Sequence, residues 1–161
     1  MSKEYSADIS EAIRTFLDED DWIYTFSEED GRFYFQVSYS DTIKFVLYNV
    51  QVKPSKYIVY LQSPISLSRD CHDEKQAQLQ EFVNRANYGL ILGNFELDVR
   101  DNELRYKCAV DCEDMVPSKA IVRNSIVVPG HTFHKYVKGV EAIIYNGASA
   151  QDAIEMCEED N

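Results

Sequence analysis

No stretch of the chain approaches the roughly 18–20 consecutive apolar residues that a membrane-spanning helix needs. The opening Met1-Ser-Lys-Glu-Tyr-Ser-Ala-Asp8 has no apolar core of a secretory signal, so the expected compartment is the cytoplasm. Six glycines and four prolines in 161 residues exclude collagen-like and low-complexity classes. Cations are scarce: sixteen Lys and Arg face twenty-eight Asp and Glu, a net charge of −12. They also stand singly, as at Arg14, Arg32, Lys44 and Lys75. Nucleic acids and anionic membranes demand clustered cations, so neither is an expected partner. An acidic surface suits a basic partner, or serves solubility alone.

Catalytic signatures are missing too. There is no G-x-S-x-G, P-loop, G-x-G-x-x-G or H-E-x-x-H. Gly89-Leu-Ile-Leu-Gly93 precedes a strand rather than a helix, so it does not cradle phosphate. Cys71 and His72 are neighbours that would point about 100° apart on a helix, a poor dyad. Carboxylates gather at helix ends and turns, where solvation explains them. The expectation is a protein that is not an enzyme and uses no cofactor.

Of four cysteines, Cys71, Cys108, Cys112 and Cys157, none forms a C-x-x-C pair. Cys108 and Cys112 on one strand would lie about 13 Å apart at ~3.3 Å per residue. A disulfide needs less than about 7 Å, so that pair is excluded. A soft-metal site from Cys108, Cys112, His131 and His134 has looser spacing than zinc sites use. Buried structural cysteines are the plainer reading, with no metal.

What is present is a core. Hydrophobic residues make up 45% of the chain and aromatics 12%, enough for one ordinary domain over 1–161. Ile9, Ala12, Ile13, Phe16 and Leu17 form one helical stripe, predicting a helix over 6–18 with Asp8 and Glu11 as a capping box. Strands are expected at 22–27, 32–39, 42–52 and 57–61, with a hairpin turn at Asp30-Gly31 and a second turn at Ser40-Asp41. Strand 42–52 is apolar on both faces, so it is central or covered on both sides. A second helix is expected over 71–88, capped by Asp70 and ended by a left-handed Gly89. The alternation around Phe95–Val99 and Leu104–Cys112 predicts a hairpin turning at Arg100-Asp101-Asn102. Ser118 is positioned to cap a long apolar-faced helix, which Pro129-Gly130 should kink or break into two pieces ending at Asn146-Gly147. Ser149-x-x-Asp152 caps a last helix over 150–158. No linker is long enough to divide the chain. The expected class is α+β: an antiparallel sheet flanked by helices, in the order α, three to four strands, α, two strands, α, α.

Eleven tyrosines are a further excess. On alternation alone, Tyr34 and Tyr48 stand opposite Phe33/Phe35 and Phe45/Leu47, with Val46 and Val50 beside Tyr48. If helices cover the Phe side, then Tyr34, Val46, Tyr48 and Val50 form an open aromatic face of the kind protein interfaces favour. The alternative is that helices of this chain, or a second copy, cover that face.

The element order, with Phe82-Val-Asn-Arg-Ala-Asn87, Gly93-Asn-Phe-Glu-Leu-Asp98, Glu103-Leu-Arg-Tyr-Lys107, the helix end at 136–147 and the Ser149-x-x-Asp-Ala-Ile154 tail, resembles the YbjN family of bacterial proteins. That family is associated with sensory transduction regulation and shares the fold of type III secretion chaperones. The resemblance covers most of residues 6–158. It implies a homodimer that binds an extended client segment as an adaptor or regulator, the function expected here. The alternative is a small-ligand sensor with a pocket between sheet and long helix near His131 and His134.

Overall fold

The computed structural model describes residues 4–38, 45–63 and 73–159. Helix α1 (Ala7–Glu19) starts at Ser6, whose extended backbone aims its hydroxyl at the first turn. Ser6 Oγ accepts from the Ile9 N–H at 3.2 Å. The cap is therefore Ser6, and not the Asp8 box expected from sequence. Asp8 sits inside the first turn, where its charge suits the positive end of the helix dipole. The acidic run ends the helix at Asp20, and Asp21 at φ 56° turns the chain so that the Trp22 N–H reaches Leu17 O at 2.8 Å.

Six strands follow in two blocks: β1 (Tyr24–Ser27), β2 (Arg32–Ser38), β3 (Phe45–Val52) and β4 (Lys56–Gln62), then β5 (Asn94–Asp98) and β6 (Glu103–Asp111). They form one antiparallel sheet in the order β1-β2-β3-β4-β6-β5. β3 is central, as its apolar content implied. Gly31, at φ +66°, closes the first hairpin because a Cβ there would stand 2.5 Å from the Tyr5 ring. The expected Ser40-Asp41 turn, the Asp70 cap and Cys71 lie outside the described residues.

Three more helices complete the chain: α2 (Asp73–Asn87), α3 (Lys119–Asn146) and α4 (Ala150–Glu158). Ser118 and Ser149 cap α3 and α4 as expected, each accepting from a backbone N–H three residues on, at 3.3 and 3.1 Å. Gly147, left-handed, ends α3. Two expectations need correction. Gly89 is not left-handed, and α2 stops at Asn87. Pro129 does not divide the long helix; α3 runs unbroken for 28 residues. Pro129 forfeits one backbone bond. However, the buried face continues through it from Val122 and Ile126 to Phe133 and Val137, and tertiary packing outweighs the local defect.

The helices pack on one face of the sheet. α3 crosses β4 and β6, α1 lies against α3, and α2 packs on β5, α3 and α4. Their crossing is tight at Gly139, where a Cβ would stand 2.5 Å from the Phe82 ring and 2.9 Å from Cys157 Sγ. Under the helices the sheet presents Phe33, Phe35, Val50, Val59, Leu61 and Tyr106, all buried. No helix among the described residues is long and apolar enough to cross a membrane.

An open sheet face as candidate interaction surface

The opposite sheet face carries no helix among the described residues. Its side chains lie in rows set by the register. One row runs from Gln36 on β2 through Leu47 and Gln62 to Arg105 and Glu96. Another runs from Thr25 on β1 through Tyr34, Asn49 and Tyr60 to Lys107 and Asn94. Both rows change character halfway. In these two rows the β1–β3 part is uncharged and the β6–β5 part is ionic; the next row carries Arg32 on β2, which is paired with Asp30 at 3.1 Å and donates to Asn49 Oδ1 at 3.5 Å.

In the ionic half, Glu96 accepts from Arg105 Nε at 2.7 Å and from Lys107 Nζ. Partial burial works against ionisation of Glu96, yet the two cations outweigh it and hold its carboxyl below the usual range. Arg105 also lies 4.7 Å over the Tyr60 ring, which marks the boundary between the halves.

The neutral half forms a shallow depression of about 530 Å³, walled by Ile23, Thr25, Tyr34, Gln36, Leu47 and Asn49 among others. Ile23 is 93% exposed, Tyr34 42% and Leu47 41%. Large apolar side chains this exposed, side by side and without a charge among them, are what docking surfaces offer.

The four residues singled out from sequence do not share this face. Tyr34 is on it. Val46, Tyr48 and Val50 are buried under the helices, beside Phe33 and Phe35 rather than opposite them. The reason is register. Phe33 pairs with Val50 and Phe35 with Tyr48, so the even residues of β3 share a face with the odd residues of β2. Leu47 and Ile23 are the residues sequence reasoning missed. The signal for Leu47 was its company: Asn49 and Gln51 follow it at steps of two on the same face, and polar residues at that step mark the solvated face.

The tyrosine excess is also mainly structural. Tyr48 OH donates to Ile126 O at 3.1 Å, and Tyr57 OH lies 2.7 Å from Ser125 Oγ. Tyr136 OH donates to Glu158 Oε1 at 2.9 Å, and Tyr106 OH donates to Leu92 O. These hydroxyls tie β3 and β4 to α3, α3 to α4, and β6 to the loop before β5. Burial accordingly raises the Tyr57 pKa and pushes those of Tyr106 and Tyr136 up to about 12.

Cys108, Cys112 and Cys157 are buried free thiols, each with its pKa raised by burial. His131 and His134 are exposed on α3. Among the described residues no three His, Cys, Asp or Glu side chains come together to hold a metal, so the weighed Cys108/Cys112/His131/His134 set is not assembled.

In sequence comparison, no curated protein matches the chain. The model of the YbjN family, described as "Putative bacterial sensory transduction regulator", matches residues 10–124, from within α1 to the start of α3. The match spans more than half of the 161 residues, and the chain belongs to the YbjN family.

Proposed function

We propose that this chain is a regulatory protein-binding module: a non-enzymatic, chaperone-like adaptor, homodimeric and cytoplasmic, that takes an extended client segment on its open sheet face. The observation that carries this reading is the depression on that face, whose lining holds no charged residue. Ile23, Tyr34 and Leu47 expose apolar surface in one shallow depression, while the helix-covered face has none to offer. The family description as a transduction regulator supports a role exercised through binding. The depression is broad and open rather than a closed pocket, which favours a segment of chain over a small ligand.

The probe is chemically reduced insulin, whose B chain aggregates unless a binding protein holds it. The wild-type chain should suppress that aggregation near one-to-one stoichiometry. Tyr34→Glu with Leu47→Glu should lose the protection with little change in melting temperature, since both side chains are exposed. A double variant that protects as well as wild type would sink the assignment of the face.

A further inference from the structure

The edge of a sheet presents backbone N–H and C=O groups with no ladder partner. This sheet has two edges, β1 and β5. On β5 the Asn87 side chain replaces a neighbouring strand. Its Nδ2 donates to Phe95 O at 2.9 Å, and the Phe95 N–H donates to its Oδ1 at 2.8 Å. On β1 the described residues provide no such clamp: its ladder neighbour is β2, and no side chain bonds the backbone of Tyr24, Thr25 or Phe26.

Charge distinguishes β1 further. Asp18-Glu-Asp-Asp21 precedes it and Glu28-Glu-Asp30 follows it, seven carboxylates with no Lys or Arg between Asp18 and Asp30. Glu19 is paired with Lys119, Glu28 with Arg14 at 3.6 Å, and Asp30 with Arg32 at 3.1 Å. Asp18, Asp20, Asp21 and Glu29 are exposed, and among the described residues no cation pairs with them. Between the two acidic ends, β1 itself is uncharged. Beside it lies the neutral depression, adjoined by a second of about 410 Å³ that shares Ile23 and carries Asp20 and Asp21 on its wall.

A second copy does not suit this edge. Antiparallel pairing of β1 with itself over Tyr24–Ser27 would set Asp21 against Asp30, with Asp20 and Glu29 each one residue away, and parallel pairing would stack each acidic end on its twin. Like charges across a strand pair are destabilising. We propose that β1 is a docking edge for an extended segment of another protein, with an uncharged β-branched or aromatic centre of about four residues and Lys or Arg at both ends. Backbone bonds to β1 would fix the segment, Ile23 and Thr25 would meet its alternate side chains, and the acidic ends would select its charge. This rests on the protein-binding reading above and gives that reading a partner class.

The test uses the full chain and two labelled peptides with one centre, Val-Thr-Val-Tyr-Val, flanked by two Lys at each end or two Glu at each end. At low salt the Lys-flanked peptide should bind at least about tenfold tighter, with the preference shrinking as salt rises. Amides of Tyr24–Ser27 should gain protection from hydrogen exchange, and those of Asn94–Asp98 should not. Asp20→Lys with Glu29→Lys should invert the preference; Glu29→Lys alone, in an exposed turn, should at least halve it if the double variant folds poorly. Equal binding of both peptides, binding of neither, or an unaltered preference in the charge-reversed chain would overturn the proposal. If Tyr34→Glu/Leu47→Glu abolishes binding but β1 amides are never protected, the edge assignment fails while the open-face reading stands.

Discussion

Two hydroxyls from neighbouring strands meet the same turn of α3. Ser125 Oγ donates to Val122 O at 2.7 Å, which leaves it free to accept from Tyr57, and Tyr48 donates one residue on, to Ile126 O. This is the stretch just before Pro129, where the helix is locally weakest. Tyr57→Phe removes one buried bond without opening a cavity, so it should cost about 1–1.5 kcal/mol in denaturant unfolding. Glu141 has the opposite character. Its Oε1 is buried without a hydrogen-bond partner among the described residues, and burial raises its pKa. A carboxyl whose folded pKa is raised favours folding only while protonated, so its contribution is full below the ordinary carboxylate pKa and is lost as pH rises from there through the raised folded value. Glu141→Gln should therefore stabilise by about 0.5–1 kcal/mol near about pH 7 and by nothing at about pH 4. Equal melting shifts at both values would contradict that sign. Glu96 runs the other way: with its folded pKa depressed by Lys107 and Arg105, the stability it supplies is present above the ordinary carboxylate pKa and lost as pH falls through the folded value.

At the scale of elements, close approaches carry the architecture. Gly139 lets α3 cross α2 and α4, and Gly139→Ala would press a methyl into Phe82 and Cys157, all enclosed. It should destabilise by about 1–3 kcal/mol, read as a lower urea midpoint. Asn87 seals the β5 edge, so Asn87→Ala should cost about 1–2 kcal/mol and open the Phe95 amide to exchange first. The helices were largely legible from sequence because their signals are local: Ser118, Ser149 and Gly147 act within a turn. Two features were not legible for the same physical reason. Pro129 is outweighed by contacts with β3 and β4, nearly seventy or more residues away in sequence. Likewise, which side of β3 joins Phe33 and Phe35 depends on the β2–β3 register. Alternation assigns residues to two faces of each strand, but it does not say which face of one strand continues which face of the next.

Among the described residues the molecule is a one-sided sandwich: helices over one sheet face, and on the other an uncharged depression beside the ionic cluster of Glu96, Arg105 and Lys107. With a net charge of −12, long-range attraction favours basic partners, while Ile23, Tyr34 and Leu47 offer short-range apolar contact around one depression. A homodimer of 18.6 kDa chains should sediment at about twice that mass at tens of micromolar. A single species at the chain mass would remove the dimer from the proposed function without touching the face.

The open face itself is tested most directly by photocrosslinking. A benzoylphenylalanine at Leu47, and in a separate chain at the exposed α3 position Arg123, would be irradiated with reduced insulin present. Crosslinks should form in high yield from position 47 and only weakly from position 123. Equal yields, or a higher yield from the helix, would contradict the assignment of the sheet face as the binding surface.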